Sequence, residues 1–236
     1  MSETKIINHW IDGGFQASAS DRFGNIYNPA TGAVIAKLPM GGAVDLETAV
    51  KSARHAFHSW STTSITKRAQ LMFKFKELLE LRRDELVDII SLEHGKVIPD
   101  AAGSLQRGIE VVEFACGIPH LLKGEFSEQV GTGVDCYSMR QPIGICAGVT
   151  PFNFPAMVPM WMFPIAIVCG NCFILKPSEK DPSCSIKLAE LLKEAGLPDG
   201  VMNVVHGDKE MVDAILEHPD IATFSFVGST PVAEYV

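Results

Sequence analysis

The sequence predicts an α/β fold in which helices cover both faces of a parallel sheet. From Pro142 onward, short uncharged apolar runs alternate with segments of helical periodicity, a pattern typical of strands buried on both faces. The runs at 143–149 and 172–175 lead directly into Thr150 and Lys176. Ligands of open α/β sheets bind at the carboxyl ends of strands, so these positions indicate a ligand site.

Composition narrows the class of partner. The net charge is −8 and charges of both signs are interspersed, which argues against nucleic acid or an anionic membrane and favours small molecules. Five prolines interrupt the uncharged stretch 142–175, so it is not expected to span a membrane. The first five residues carry no export or organelle signal, and we expect a cytoplasmic protein.

Six cysteines are expected to be reduced, because a chain of this size and class needs no disulfide framework. They are Cys116, Cys136, Cys146, Cys169, Cys172 and Cys184. The segment 169–172 has the C-x-x-C spacing of a redox or zinc pair, but no second pair with ligand spacing accompanies it. We interpret these cysteines as small core residues and expect no metal site.

Short strands and turns are predicted over the first forty residues. Asp12-Gly13-Gly14 is a hairpin signal, and 28–32 has Pro and Gly at turn positions. Three helices then follow: one capped by Asp45, a longer one whose apolar face includes Leu71 and Leu86, and a third from Asp100 to about His120.

Residues 125–140 change to period two around a Gly-rich turn, which predicts an extended hairpin. Beyond Pro142, Asp181 with Pro182 predicts an N-cap, a strand covers 201–205, and Asp208 lies where the next helix opens. The last strand is predicted at 221–226, and Gly228-Ser229 should open a final helix.

Several of these motifs are shared with a known family. P-F-N-F-P at 151–155, K-P-S-E at 176–179 and F-V-G-S-T at 226–230 resemble the cofactor-binding half of NAD(P)-dependent aldehyde dehydrogenases. R-G-I-E-V-V-E-F-A at 107–115 and M-V-P-M-W-M-F-P at 157–164 are similar to the CoA-acylating semialdehyde dehydrogenases of that family. The resemblance covers essentially the whole chain.

The resemblance implies an aldehyde-dehydrogenase-like Rossmann-type sheet, although no G-x-G-x-x-G follows any candidate strand; the family also departs from that fingerprint. It implies three parts: strands and helices at 1–123, a β-hairpin oligomerisation arm at 124–141, and a truncated NAD-binding α/β domain at 142–236. The arm would support a homo-oligomer, a dimer or tetramer, although an ordinary surface hairpin fits the residues nearly as well. The catalytic domain with its nucleophilic cysteine is expected to be missing, so the chain alone should be inactive.

Lys176 and Glu179 are expected to bind the adenine ribose of NAD. A carboxylate at Glu179 accepts from ribose hydroxyls and repels a 2′-phosphate, which favours NAD over NADP; a surface salt bridge is the alternative. Lys180 matches a basic position that contacts the cofactor in the resembled subfamily. The alternative is an exposed lysine that contacts only solvent. Ser229 and the N–H groups beside it could bind the pyrophosphate.

Thr150 and Phe152 are expected to contact the cofactor through backbone and ring. The family often has Gly where this chain has Ala233, and its methyl group could crowd the start of the last helix. Asn153 is the candidate catalytic residue: its amide can donate to the oxyanion formed on an aldehyde, worth about 3 kcal/mol of barrier. Arg107 is the substrate candidate, because arginine binds carboxylates bidentately; the alternative is a helix ion pair with Glu110.

The expected reaction oxidises a semialdehyde with NAD and transfers the acyl group to CoA as co-substrate. Two alternatives stay open from the residues. One is a hydrolytic aldehyde dehydrogenase that releases a free acid. The other is a non-catalytic dinucleotide-binding or assembly module.

Overall fold

The computed structural model of the protein describes residues 5–236; the sequence expectation about the amino terminus falls mostly on residues 1–4, outside that part. Four short strands come first: β1 (His9–Ile11), β2 (Gly14–Gln16), β3 (Phe23–Tyr27) and β4 (Val34–Pro39). The predicted hairpin is confirmed, because β1 and β2 pair antiparallel across Asp12 and Gly13, with φ of 55° and 71°.

Five helices follow these strands: α1 (Ala43–Trp60), α2 (Ile65–Leu81), α3 (Arg83–His94), α4 (Ile98–Cys116) and α5 (Ile118–Leu121). Three predicted boundaries were wrong. Gly42, not Asp45, is the N-cap of α1, and Asp45 accepts the Gly42 N–H at 3.4 Å from the third helical position. The long second helix is divided at Arg82, where φ is −102° and ψ is 20°. The third helix ends at Cys116 and a separate short turn of helix follows Gly117.

The predicted hairpin at 125–140 is present. Strands β5 (Phe126–Gly131) and β6 (Val134–Tyr137) pair antiparallel as a separate two-stranded sheet. Every residue of both strands is exposed, including the aromatic rings of Phe126 and Tyr137. The arm therefore presents apolar surface to its surroundings.

Beyond the arm, strands and helices alternate as expected, through β7 (Ile145–Val149), α6 (Met157–Val168), β8 (Cys172–Lys176), α7 (Ser183–Glu194), β9 (Met202–Val204), α8 (Lys209–Glu217), β10 (Ile221–Phe226) and α9 (Thr230–Tyr235). The order in the six-stranded sheet is β10-β7-β8-β9-β1-β2. The first four strands are parallel, and the β1–β2 hairpin adds an antiparallel edge. The sheet is therefore mixed rather than wholly parallel.

Connection handedness explains how the helices divide between the faces. The chain moves from β7 to β8 to β9 in one direction, so right-handed crossovers place α6 and α7 on the same face. It then returns across the sheet to β10, which places α8 on the opposite face, where α1 packs against it. The rings of Phe75, Phe163 and Phe173 join α2, α6 and β8 in the core, with centroids 6.0 and 6.5 Å apart. The predicted α/β class is confirmed.

Candidate functional site

The reversal of strand order between β7 and β10 creates the principal candidate site. Adjacent parallel strands whose connections run in opposite directions leave a crevice beyond their carboxyl ends. In this structure that crevice is a cleft of about 600 Å³. The six residues predicted to bind the cofactor all line it: Thr150, Phe152, Lys176, Glu179, Lys180 and Ser229.

The first wall of the cleft follows β7. Thr150 continues the pairing of β7 with β8, since its N–H donates to the carbonyl of Lys176 at 3.2 Å. The chain then turns through Pro151 and Phe152, a residue that is 47% exposed and lines the cleft. The turn thus presents a backbone and an aromatic face, the two features expected of Thr150 and Phe152.

Lys176 is the most deeply buried charged group of the cleft. Its side chain ends β8, and only 5% of the residue is exposed. The ammonium lies 3.4 Å from the Glu179 carboxylate. Burial lowers the pKa of Lys176, while the charges of Glu179 and Asp208 act in the opposite direction. The arrangement joins a donor and an acceptor at one strand end, which fits the two hydroxyls of a ribose.

Lys180 and Ser229 occupy the flanks of the same cleft. The Lys180 ammonium lies 4.2 Å from the centroid of the Phe152 ring, a cation–π contact. Ser229 is the N-cap residue of α9, and its hydroxyl makes no capping hydrogen bond. Ala233 is exposed, as is every residue of α9, and it does not line the cleft.

The structure adds Asp208 to the cleft, a residue for which the sequence analysis gave only a helix start. Its side chain caps α8 by accepting the Glu210 N–H at 3.2 Å. Arg22, distant in sequence, holds the same carboxylate at 2.9 Å, and this contact lowers the pKa of Asp208. The sequence predicted a helix start at Asp208, and only the fold places this residue beside Lys176.

Asn153 and Arg107 lie outside the cleft lining. Asn153 is exposed in the turn that connects β7 to α6, between Phe152 and Phe154. Arg107 is exposed on α4, one residue before Gly108, which packs against Met160 in the first turn of α6. Among residues 5–236, Arg107 forms no ion pair with Glu110.

A buried acidic pair lies behind the Lys180 loop. The predicted N-cap at Asp181 was wrong: Pro182 is the N-cap of α7, and Glu93 from α3 accepts the Ser183 N–H at 3.0 Å and its hydroxyl at 2.6 Å. Asp181 is 2% exposed, and its two oxygens have no hydrogen-bond partner among the described residues. Burial first, and then the charges of Glu93 and Glu179, raise the pKa of Asp181 to about 9.

The cysteines provide no activated thiol in residues 5–236. Burial raises the pKa of Cys146 to about 11 and that of Cys172 to about 12, and it also raises the pKa of Cys184. Cys136 is exposed, but it lies on the hairpin arm.

No group of His, Cys, Asp and Glu side chains within the described residues is arranged to hold a metal ion. The helices of that same range include none long and apolar enough to cross a membrane.

A doubly wound sheet with a cleft at its reversal point defines a nucleotide-binding class of fold. Residues 15–236 match the model of the aldehyde dehydrogenase family, and the chain belongs to that family. It is 54% identical over 230 residues to the malonate-semialdehyde dehydrogenase of Pseudomonas aeruginosa, covering 98% of this chain and 46% of that protein.

Solved structures agree with this assignment. A protein of Sinorhizobium meliloti assigned to the methylmalonate-semialdehyde dehydrogenases, determined with NAD, superposes with a TM-score of 0.97 at 56% identity, covering 100% of this chain and 48% of that one. The methylmalonate-semialdehyde dehydrogenase of Oceanimonas doudoroffii gives 0.96 at 57% identity, with coverage of 99% and 47%. The chain thus spans about half the length of the relatives it matches.

Proposed function

We propose that this chain forms the NAD-binding portion of a CoA-acylating malonate- or methylmalonate-semialdehyde dehydrogenase. The pair formed by buried Lys176 and partly exposed Glu179 at the strand reversal carries the proposal, because it offers a donor and an acceptor to a ribose. The relatives named above are semialdehyde dehydrogenases, and one of their structures contains NAD. When bound, NAD⁺ would accept the hydride released by the aldehyde.

Each predicted site residue has a role in this proposal. Glu179 and Lys176 bind the adenine ribose, Ser229 donates to the pyrophosphate, and Thr150, Phe152 and Lys180 line the path between them. Asn153 donates to the oxyanion of the aldehyde. Arg107 binds the carboxylate that distinguishes a semialdehyde from a simple aldehyde. CoA then accepts the acyl group.

We assign residues 1–123 and 142–236 to one cofactor-binding unit, and the hairpin arm at 124–141 to contacts in a homo-oligomer, a dimer or tetramer. The exposed apolar side chains of the arm favour that role over an ordinary hairpin. We place the enzyme in the cytoplasm.

Calorimetric titration of the 236-residue polypeptide with NAD⁺ and NADP⁺ tests the cofactor assignment. NAD⁺ should bind more tightly than NADP⁺. Lys176→Met should weaken the binding of NAD⁺ about a hundredfold, because it removes a buried charged hydrogen-bond donor. The methionine side chain is about as long as that of lysine, so the substitution changes the charge more than the shape. Glu179→Gln should weaken the binding of NAD⁺ about tenfold. It should also reduce the preference for NAD⁺ over NADP⁺, since the repulsion of the 2′-phosphate is lost.

Lys74→Met, an exposed change on α2, is the matched control and should leave both affinities unchanged. Equal affinities of the wild-type chain and the Lys176→Met chain for NAD⁺ would contradict the ribose assignment. The acyl acceptor is tested separately, by supplying CoA to an active enzyme that contains this sequence and identifying the product as acyl-CoA or free acid. A free acid in the presence of CoA would favour the hydrolytic alternative.

A further inference from the structure

The turn that carries Asn153 has an unusual means of support. Asn153 is exposed, and none of the side-chain hydrogen bonds within residues 5–236 involves it. An amide that donates to an oxyanion must be held in direction, because small displacements weaken the interaction strongly. The side chains on either side of it in the turn are the rings of Phe152 and Phe154.

Each ring is covered by a lysine from a different loop. The Lys180 ammonium, from the loop after β8, lies 4.2 Å from the centroid of Phe152. The Lys96 ammonium, from the loop after α3, lies 4.4 Å from the centroid of Phe154. Both distances are within the range in which the ring quadrupole attracts a cation.

The backbones of both lysines are fixed. The hydroxyl of Ser91 donates to the carbonyl of Lys96 at 2.8 Å, directly after the left-handed Gly95 that ends α3. The N–H of Lys180 donates to the hydroxyl of Ser178 at 3.2 Å. The backbone at each lysine is thus hydrogen-bonded to groups outside the Asn153 turn.

Neither ammonium is engaged by a carboxylate. Lys176 pairs with Glu179 and Lys209 pairs with Asp213, but Lys96 and Lys180 form no ion pair within residues 5–236. A buried acid, Asp181, is influenced by the charges of both lysines, yet its raised pKa of about 9 leaves it neutral near pH 7. The rings are therefore the partners of these two cations.

We propose that Lys96 and Lys180 are positioning residues that clamp Phe154 and Phe152 by cation–π contacts and so fix the direction of the Asn153 amide. This inference rests on the proposed oxyanion role of Asn153. Lys96 is the informative member, because it does not line the cleft, whereas Lys180 does. Its effect on the turn can therefore be separated from cofactor binding.

Asparagine-selective ¹⁵N labelling of the 236-residue protein tests the clamp without turnover. The chain has six asparagines, and Asn153→Asp identifies the signal of interest by its loss. In Lys96→Met, we expect the minor conformer of the Asn153 side-chain amide, measured by relaxation dispersion, to rise about fivefold, the change that loss of one exposed cation–π contact allows. Lys96→Arg should restore the wild-type population, because it keeps the cation.

Phe154→Leu should reproduce the effect of Lys96→Met, and the double variant should add nothing further, since the two changes remove one contact. Lys74→Met should leave the signal unchanged. An Asn153 amide that is identical in wild type and Lys96→Met, or additive effects in the double variant, would overturn the clamp. NAD⁺ titration of the same variants separates the proposals: wild-type affinity in Lys96→Met leaves the cofactor assignment intact whichever way the clamp is decided.

Discussion

The buried polar groups at the two ends of strands β7 and β8 differ in how fully they are paired. At the amino ends, Asn171 is buried and satisfied: its oxygen accepts the N–H groups of Ile143 and Gly144 at 2.7 and 3.2 Å, and its NH₂ donates to Ala166 at 3.2 Å. At the carboxyl ends, Lys176 is buried and pairs with the Glu179 carboxylate, and the carboxyl group of Asp181 is buried without a hydrogen-bond partner among the described residues. The polar groups at the amino ends of these strands thus stabilise the fold, whereas those at the carboxyl ends keep hydrogen-bonding capacity that a ligand can use.

The difference locates chemistry as well as stability. The thiols of Cys146, Cys169 and Cys172 cluster toward the amino ends, and burial raises the pKa of each. The residues proposed to bind the cofactor are gathered at the carboxyl ends, where strand ends and loops expose side chains and backbone. A nucleophile for this site is therefore not expected among the cysteines of the described residues.

Thiol labelling tests the amino ends, with the largest expected effect. Cys136 should react with a disulfide reagent at pH 8 about a thousandfold faster than Cys146 or Cys172, because the buried thiols react only after local opening that costs about 4 kcal/mol. The rates are measured by mass spectrometry of quenched samples. Cys136→Ser should remove the fast phase entirely, and rapid labelling of Cys172 in the folded chain would contradict the comparison.

Asp181 tests the carboxyl ends. Its folded pKa of about 9 lies above the ordinary aspartate value, so the folded state retains a proton that the unfolded state releases, and stability falls as pH rises from about 4 toward 9. Asp181→Asn removes this dependence. The variant should raise Tm by about 2–8 °C at pH 8, corresponding to about 1–2 kcal/mol in a chain of this size, and by less at pH 5.

Asn171→Ala is the matched change at the amino ends and should lower Tm at both pH values, since it leaves buried N–H groups unpaired at a cost of about 1–3 kcal/mol. Melting curves by circular dichroism at pH 5 and pH 8 provide the measurement. If both variants shift Tm in the same direction at pH 8, the two ends do not differ as described.

Arg107 gives the smallest expected effect. It is exposed on α4 and forms no ion pair with Glu110 in the described residues, so Arg107→Met should change Tm by less than about 1 °C. The same substitution should raise the KM of an active enzyme for a semialdehyde more than for an uncharged aldehyde of equal length. A clear loss of stability would instead assign Arg107 to the helix surface as a structural residue.

Local signals predicted much of this molecule. The apolar runs located β7 and β8, and the polar residues that follow them located the cleft. One error occurred where a distant residue decides the outcome: Glu93 from α3, and not Asp181, accepts the first N–H of α7. The helix start at Asp208 was predicted correctly, but its contact with Arg22, 186 positions away in sequence, was not. The break at Arg82 was missed because the apolar periodicity continues from Leu71 to Leu86 across it. The contact of Lys96 with Phe154 has no sequence signature at all, because the two loops meet only in the folded chain.

The order of strands also sets the order in which the protein can be assembled. Strand β10 is the last strand of the described chain, yet it pairs with β7, whose residues are synthesised 76 to 77 positions earlier, as the pairs Ile221–Ile145 and Phe226–Val149 show. Until β10 docks, β7 is an unpaired edge and the cleft lacks the wall formed by Phe226, Gly228 and Ser229. A ligand that requires this wall can bind only after β10 is in place, so cofactor binding during refolding would report the docking of β10 rather than precede it.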